Sequence, residues 1–328
     1  MTDDARARGF DALPRHAWRA VDADALRGLR IFLTGGTGFV GRWFLAGLPR
    51  VIAYGATPQV AALVRGDAAP VTAPWLSWVR GDVRSFALAG GADVIVHAAL
   101  PSTAARADRD AELRETALRG AEAVIAHARR SGARRVLVLS SGAVYGPADA
   151  PLGEGDPFAA SDDADTYGRV KREVEDMFRA ASGPALDVVV ARLFTCIGVG
   201  YRAHEHLAHV GLLRAARAGE PIALRSDGTA VRSYLFGADL AVWLLALVTG
   251  SGSDVVNVGS DESLTVLEFA RLVARAGGRD ESAVVVGAEP DARRHHFVPN
   301  ITRARTVYGL EPWTSAAEAV ALTLAAGE

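Results

Sequence analysis

The sequence is poor in cysteine, in long apolar runs and in net charge. Its single cysteine, Cys196, cannot form a disulfide within the chain. The apolar run from Leu240 to Val248 is about half as long as the ~20 residues of a membrane span, and the N-terminal residues lack the apolar core of a secretory signal. The net charge of −2 leaves no strongly basic surface for nucleic acid. We therefore predict a cytoplasmic protein with no membrane or nucleic-acid partner.

Lysine is almost absent as well, although the chain is rich in arginine. Lysine and arginine together number 36, and Lys171 is the one lysine among them. An ammonium is a compact point charge on a flexible stem, whereas a guanidinium is a planar fork of fixed donors. A lone lysine among so many arginines therefore predicts a task that arginine cannot perform.

Between residues 30 and 191, short apolar runs alternate with helical patterns. The apolar runs predict strands at 30–34, 60–64, 76–79, 93–96, 135–139 and 187–191. The helical patterns lie at 42–48, 108–130 and 166–180. Such alternation is typical of parallel βαβ units, in which helices cover both faces of a sheet. The sequence thus predicts an α/β fold with a doubly wound, Rossmann-type parallel sheet.

This alternation loosens after about residue 195, which indicates a smaller second lobe. We assign residues 29–195 to a dinucleotide-binding domain that also takes in about 232–260, and residues 196–328 mainly to an interwoven substrate lobe. Residues 1–28 are expected to be a leader that is either loose or carries a short helix over 22–27. The second lobe is predicted to contain helices at 207–218, 239–247, 264–276 and 314–324, and isolated strands at 222–224, 255–258 and 284–286.

A glycine-rich turn joins the first strand to the first helix. Gly35, Gly38 and Gly41 give the spacing G-x-x-G-x-x-G. Glycines in such a turn let backbone N–H groups approach a pyrophosphate, and the helix N-terminus favours its negative charge. A tight structural turn without a ligand is the alternative. The predicted cofactor contacts in this turn are Gly35, Thr37, Gly38, Phe39, Val40 and Gly41.

The end of the second strand meets the adenosine ribose in folds of this kind. Arg65 stands there and can pair with a 2′-phosphate, which favours NADP(H), although it could also stack on the adenine or stay solvated. Asp67 follows two residues later and could reach the ribose hydroxyls, so NAD(H) remains open. Asp82, at the end of the third strand, is a candidate acceptor for the adenine amino group or a turn cap.

Lys171 stands four residues after Tyr167, and on a helix this spacing puts both side chains on one face. A free phenol has a pKa near ~10, which is too high for a base at neutral pH. A nearby ammonium stabilises the phenolate and lowers that pKa, and it can also bind the ribose hydroxyls of a nicotinamide cofactor. After the fifth strand, Ser141 is the predicted donor to a substrate oxygen, with Ser140 as the alternative.

Together these features resemble the extended short-chain dehydrogenase/reductase family, in its NAD-dependent epimerase/dehydratase branch. The matching segments run in order along nearly the whole chain: TGGTGFVG (34–41), GDV (81–83), HAA (97–99), SSGAVYG (140–146), YGRVK (167–171), RLFTCIG (192–198) and DGTAVRSYLFGADLA (227–241). The resemblance implies a Rossmann domain with a C-terminal nucleotide-sugar lobe, in a homodimer. The site residues that it implies are Ser141, Tyr167 and Lys171 as the catalytic set, Val83, Ala98 and Ala99 at the cofactor, and Thr195 and Arg232 at the substrate.

The chain departs from the family pattern at several positions. Thr195 stands where the sugar-nucleotide enzymes often carry an asparagine, which weakens the expected diphosphate contact. The 4,6-dehydratases carry an Asp-Glu pair just after the catalytic Ser/Thr, where this chain has Gly142 and Ala143. Elimination of water needs such a second acid/base pair. The decarboxylases resemble the chain less near Tyr167, because no arginine precedes that tyrosine.

The resemblance, together with the Ser141, Tyr167 and Lys171 chemistry, therefore implies an enzyme that transfers hydride at C4 of a nucleoside-diphosphate sugar. Retained NAD(H) would make it a 4-epimerase, and exchanging NADPH would make it a 4-ketoreductase; Arg65 favours the second and the segment SSGAVYG the first. A dehydratase or decarboxylase of the same family, or a non-catalytic dinucleotide-binding sensor, is the alternative. No metal is predicted, because His204, His206 and His209 lack the spacing of a helical zinc site.

Overall fold

The computed structural model describes residues 2–66, 71–99, 110–158, 166–201, 207–287 and 296–326. Short 3₁₀ helices lie at Arg15–Ala20, Gly142–Tyr145 and Glu281–Ala283. The helices and strands in chain order are α1 (Thr2–Asp11), β1 (Arg30–Thr34), α2 (Phe39–Ile52), β2 (Gln59–Val64), β3 (Leu76–Arg80), β4 (Val94–His97), α3 (Asp110–Ser131), β5 (Arg135–Ser141), α4 (Thr166–Ala181), β6 (Asp187–Leu193), β7 (Cys196–Ile197), α5 (Ala208–Ala218), β8 (Val231–Arg232), β9 (Leu235–Phe236), α6 (Gly237–Thr249), β10 (Asp254–Val258), β11 (Leu264–Thr265), α7 (Val266–Ala276), β12 (His296–Phe297), α8 (Thr302–Tyr308) and α9 (Ala316–Ala325).

Seven parallel strands form the central sheet, in the order β10-β6-β5-β4-β1-β2-β3. The chain enters at β1, runs outward to β3, and then crosses back to build the other half from β4. A reversal of this kind opens a crevice at the carboxyl ends of the strands, where ligands of such sheets bind. The structure confirms the predicted Rossmann-type α/β fold, and the reversal between β1 and β4 positions the site.

The edge strand β10 corrects one sequence assignment. The sequence predicts an isolated strand at 255–258, but Asp254–Val258 pairs in parallel with β6 in the central sheet. Val256 and Val258 are fully buried there. The strand itself is confirmed, and only its isolation was wrong, because residue periodicity indicates a strand but says nothing about its pairing partner.

The apolar run that the sequence shows near residue 245 lies in α6. This helix packs against α2, the N-terminal helices and β5, so residues 237–248 are buried on every face. A helix that is apolar all round is expected to be enclosed in this way. In the described part of the chain, no helix is both long enough and apolar enough to cross a bilayer.

The smaller lobe combines a mixed sheet with packed helices. Strand β8 lies between β11 and β12, while α5, α7 and α9 pack against one another. The strands predicted at 222–224 and 284–286 were wrong, since the structure joins Ala223 and Val285 by a single bridge. Helix α8 was not predicted from the sequence.

The N-terminal segment packs on the rest of the chain and is not loose. The Phe10 ring lies edge-on to Trp43 of α2, with 5.6 Å between centroids, and Leu26 is fully buried. The short helix predicted over 22–27 was wrong, because turns occupy that stretch. The helical residues lie earlier, in α1, whose polar composition conceals the few apolar side chains that it buries.

Candidate active site

The turn between β1 and α2 presents its backbone to the crevice. Gly35 has a φ of +74°, and a Cβ at this position would meet the carbonyl carbon of Ala98 at 2.5 Å. Gly38 is the N-cap of α2, and no side chain caps the helix there. The helix N-terminus is thereby left to an external acceptor. This cradle fits the pyrophosphate of a dinucleotide, which binds the N–H groups and the positive end of a helix dipole.

A cavity of about 720 Å³ extends from this turn along the carboxyl ends of the strands. Its volume is in the usual range for a small-molecule site. It brings most of the predicted site residues together around one space. The lining contains the turn residues Gly35, Thr37, Gly38, Phe39, Val40 and Gly41, the strand-end residues Arg65, Asp82, Val83, Ala98 and Ala99, and Ser141, Tyr167, Lys171 and Thr195.

Two charged residues line the part of the cavity beside β2 and β3. Arg65 is exposed there. Asp82 caps its own turn, since its Oδ1 accepts the Arg84 N–H at 2.9 Å and the Arg84 guanidinium binds both carboxylate oxygens. The hydrogen bond from Arg84 lowers the pKa of Asp82, so the group is a carboxylate acceptor at neutral pH. Asp67, the other predicted ribose contact, lies outside the described residues.

Tyr167 and Lys171 both face the cavity from the first turns of α4. The Lys171 Nζ lies 5.4 Å from the centroid of the Tyr167 ring and donates to the Leu139 carbonyl at 3.0 Å. Lys171 is only 5% exposed, and this burial lowers the pKa of Lys171 to about 7, against the opposing effect of the Glu175 charge. An ammonium in such a poorly solvated place acts more strongly on a neighbouring phenolate than it would in water.

The two serines at the end of β5 have different partners. Ser141 lines the cavity, and its Oγ accepts the Ala143 N–H at 3.2 Å, so the hydroxyl hydrogen remains available to a ligand. Ser140 also borders the cavity, but its Oγ donates to the Glu175 carboxylate at 2.5 Å. Of the two, Ser141 is therefore the serine whose hydroxyl hydrogen is not committed to the Glu175 carboxylate, and its contact with a substrate oxygen stays a prediction.

The predicted substrate residue Arg232 is not part of the cavity lining. Its guanidinium donates to the Val231 carbonyl at 2.8 Å and lies 6.0 Å from the centroid of the Phe297 ring. Phe297 does line the cavity, so Arg232 contacts a lining residue without lining the cavity itself. Its contact with a substrate diphosphate stays a prediction.

The smaller lobe supplies lining residues that the sequence did not indicate as ligand contacts. Tyr201 stacks on Phe39 with 3.8 Å between ring centroids, and its hydroxyl donates to the Cys196 carbonyl at 3.0 Å. Cys196 and Phe194 belong to the segment RLFTCIG, which was the one signal that could have indicated them. Lining residues after β6 that the sequence missed include Phe194, Cys196, Tyr201, Leu207 and Phe297.

Of the three histidines considered for a metal site, the structure describes His209 alone. His209 lines the cavity, whereas His204 and His206 lie outside the described residues. Across the described ranges, no three His, Cys, Asp or Glu side chains are grouped so that they could hold a metal ion.

A family model matches most of this architecture. The NAD dependent epimerase/dehydratase family matches residues 31–259, which is more than half of the chain. That range contains the glycine-rich turn, both serines and the Tyr167–Lys171 pair.

Curated relatives with related names share about a quarter of their residues with this chain. UDP-glucuronic acid decarboxylase 1 of Danio rerio is 28% identical over 199 residues, which cover 56% of this chain and 45% of the relative. The chain thus spans about half the length of the first curated relatives it matches. The dTDP-4-dehydro-6-deoxy-D-allose reductase of Streptomyces bikiniensis is 28% identical over 314 residues, which cover 88% of this chain and 94% of the reductase.

Solved structures share the fold across nearly the whole chain. MoeE5, solved with UDP-glucose and NAD, has a TM-score of 0.77 at 25% identity and covers 90% of this chain and 98% of its own. The dTDP-glucose 4,6-dehydratase DesIV of Streptomyces venezuelae, solved with NAD, has a TM-score of 0.78 at 24% identity, with 91% and 96% covered. Both similarities place NAD-binding proteins on the same α/β architecture.

Proposed function

The chain belongs to the NAD-dependent epimerase/dehydratase family of nucleotide-sugar enzymes, and we propose that it transfers hydride at C4 of a nucleoside-diphosphate hexose. The observation that carries the proposal is the shared cavity. It joins the pyrophosphate cradle at Gly35 to the Tyr167–Lys171 pair and to Ser141. A sensor that only binds a dinucleotide has no need of a buried ammonium beside a phenol, which favours catalysis over that alternative.

The side chains divide the proton chemistry between them. When bound, a nicotinamide dinucleotide accepts or supplies the hydride. Tyr167 removes the proton of the sugar 4-hydroxyl, or returns it to a 4-ketone, while Ser141 donates a hydrogen bond to the same oxygen. Lys171 stabilises the phenolate and binds the ribose hydroxyls.

Packing beside Ser141 argues against a dehydratase. The dehydratases resembled by this chain place an acid where it has Gly142, and a Cβ built on Gly142 would meet the Phe194 ring at 2.7 Å. Phe194 is held in turn by Phe297, with 4.7 Å between ring centroids. An acidic side chain at position 142 would have to displace this ring, so the site lacks the acid that elimination needs at this position and the room for it.

The choice between epimerase and ketoreductase depends on whether the dinucleotide exchanges. The match to a 4-dehydro-sugar reductase extends over nearly the full length of both chains, which supports the ketoreductase. Exposed Arg65 at the cavity supports NADP(H), while the structural neighbours were solved with NAD. Arg65→Ala should weaken NADP⁺ binding by about tenfold and leave NAD⁺ binding unchanged, as measured by calorimetry. Equal losses for the two dinucleotides would place the Arg65 side chain away from the 2′-phosphate.

Turnover with a panel of sugar nucleotides tests the proposal. The panel should contain UDP- and dTDP-hexoses, their 4-keto derivatives and UDP-glucuronic acid, each with NAD(H) and NADP(H). Epimerised or reduced product at C4 supports the proposal. Release of CO₂ from UDP-glucuronic acid would instead assign a decarboxylase, and a 4-keto-6-deoxy product would assign a dehydratase.

We also propose a homodimer formed through α3 and α4. These are the helices that the family resemblance assigns to dimer contacts. In this chain the Arg114–Glu173 ion pair joins them at 2.6 Å, and both of its side chains are partly exposed. Sedimentation equilibrium should therefore give twice the 34.4 kDa mass of one chain. A monomer at micromolar concentration would contradict this assembly.

A further inference from the structure

The helix face that carries Tyr167 and Lys171 continues to a third residue, Glu175. It stands one turn beyond Lys171 on α4 and is fully buried. Lys171 donates to the Leu139 carbonyl, and the Glu175 carboxylate accepts from the Ser140 hydroxyl. Two successive turns of α4 are thus anchored to two successive residues of β5, directly before Ser141.

Arg192 of β6 holds Glu175 from the other side. Its Nε and Nη2 lie 3.0 and 2.7 Å from the two carboxylate oxygens, and both residues are buried. Its Nη1 donates to the Tyr145 hydroxyl at 2.8 Å, which donates to Asn257 at 2.8 Å. Because desolvation of a buried ion pair can exceed its Coulomb energy, stability is a weak reason for such a network. The position of this network next to Lys171 suggests a role in the site instead.

We propose that Glu175 is a positioning residue, whose buried carboxylate keeps the Lys171 ammonium charged at the Leu139 carbonyl and, through Ser140, sets α4 on β5 so that Tyr167 faces Ser141. The catalytic part of this inference rests on the proposed function. The electrostatic part does not, because it concerns the charge of one side chain in the free protein.

Among the groups around Lys171, Glu175 is the one whose charge raises the pKa of Lys171 against the lowering effect of burial. Tyr167 and Glu175 face it from α4, and His97 faces it from β4. His97 is fully buried with its Nδ1 2.9 Å from the Thr34 Oγ1, and burial together with the Lys171 charge lowers the pKa of His97 to about 3, so it is neutral. Arg192 of β6 lies behind Glu175, and its positive charge disfavours the ammonium once the carboxylate is lost.

The single lysine makes the test direct. Protein labelled with ¹³C-lysine gives one lysine spin system, so the pH titration of its Cε shift reports Lys171 alone, without turnover. We expect a wild-type midpoint near 7, and Glu175→Gln should lower it by about one pH unit or more. Glu175→Asp keeps the charge and should restore the midpoint. Ser140→Ala removes a hydrogen bond but no charge, so its midpoint should match the wild type.

A matched control and a second variant separate this effect from loss of structure. Asp176→Asn removes an exposed charge on the same helix and should leave the midpoint unchanged. If Glu175→Gln does not fold, Glu175→Gln/Arg192→Met removes both buried charges. It should lower the midpoint by a smaller amount, because the removal of Arg192 also removes a charge that disfavours the ammonium. An unchanged midpoint in the folded variants would overturn the proposal.

Activity supplies the second readout. The alkaline limb of the kcat/KM profile should move to lower pH in Glu175→Gln by the same amount as the NMR midpoint, whereas Ser140→Ala should lower kcat without moving that limb. If Glu175→Gln lowers kcat but leaves the alkaline limb of the kcat/KM profile where it is in the wild type, Glu175 has only a structural role. If the wild type turns over no sugar nucleotide while the NMR shift is observed, the proposed function fails and the electrostatic role of Glu175 stands.

Discussion

At the scale of a single side chain, the burial of the Lys171 ammonium reduces the stability of the fold. Burying an ammonium is unfavourable unless a partner compensates, and here one backbone carbonyl and the carboxylate of Glu175 do so in part. Lys171 could be singled out from the sequence, because it is the only lysine and stands four residues after a tyrosine. Ser141 was preferred to Ser140 from the sequence, but the different partners of the two hydroxyls could not be predicted, because Ser140 meets a carboxylate that lies 35 residues further along the chain.

Replacement of the phenol tests the assigned base. Tyr167→Phe keeps the ring and removes the hydroxyl, so turnover should fall by roughly a hundredfold or more. Dinucleotide affinity should stay near the wild-type value, since the cradle at Gly35 is untouched. Steady-state rates and calorimetric titration measure the two effects. Wild-type turnover in this variant would remove Tyr167 from the mechanism.

The buried ammonium also predicts how stability depends on pH. The pKa of Lys171 is about 7 in the folded chain, against 10.5 for an ordinary lysine. Between these values the unfolded chain binds a proton that the folded chain has released, so the free energy of unfolding rises with pH by about 1 kcal/mol per pH unit. Below pH 7 both states are protonated, and the full cost of burying the charge remains.

The variant Lys171→Met has no ammonium to titrate. Comparing its free energy of unfolding with that of the wild type isolates the contribution of Lys171. Urea unfolding of the wild type and the variant between pH 7 and 10 should give stabilities that converge or cross as pH rises, in favour of the wild type. The other titrating groups are shared, and His97, whose pKa the Lys171 charge helps to lower to about 3, is neutral throughout this pH range. Parallel stability profiles would mean that Lys171 is solvated in the free protein.

At the scale of elements, the turn between β1 and α2 was predictable and the pairing of β10 was not. Glycine spacing, a preceding strand and a following helix are local signals, and the structure places that turn at the cavity. The partner of β10 is β6, which lies some 60 residues earlier, and no local pattern encodes such a pairing. The packing of α1 was missed for a related reason, since its contact with Trp43 spans distant parts of the chain.

Gly35→Ala tests the turn as an element. The new Cβ would combine a φ of +74° with a 2.5 Å approach to Ala98. We expect a loss of about 2 kcal/mol in the free energy of unfolding and at least a tenfold weaker binding of dinucleotide. Gly211→Ala is the matched control, because its Cβ meets nothing within 4 Å in helix α5. It should leave binding unchanged and stabilise the helix slightly; equal binding by both variants would contradict the cradle.

At the scale of the whole molecule, the site exists because distant segments converge on one crevice. The alternation of strands and helices predicts the sheet, and a sheet of this order predicts where ligands bind. What the sequence could not supply is the wall contributed by the smaller lobe, where Tyr201 stacks on Phe39 and Phe297 supports Phe194. Aromatic contacts between residues more than 100 positions apart leave no periodic trace in either segment.

The central claim is that this crevice exchanges hydride with C4 of a sugar nucleotide. The most direct test is the single-turnover rate of nicotinamide reduction with sugar nucleotides deuterated at one carbon, C4 or C5. The substrate is the 4-hydroxy sugar nucleotide found in the panel or, for a 4-ketoreductase, its 4-hydroxy product run in the reverse direction, because a 4-ketone carries no hydrogen at C4. The account predicts a primary isotope effect from deuterium at C4 and none from deuterium at C5. A normal rate with the C4-deuterated substrate, together with a slow one for C5, would contradict it.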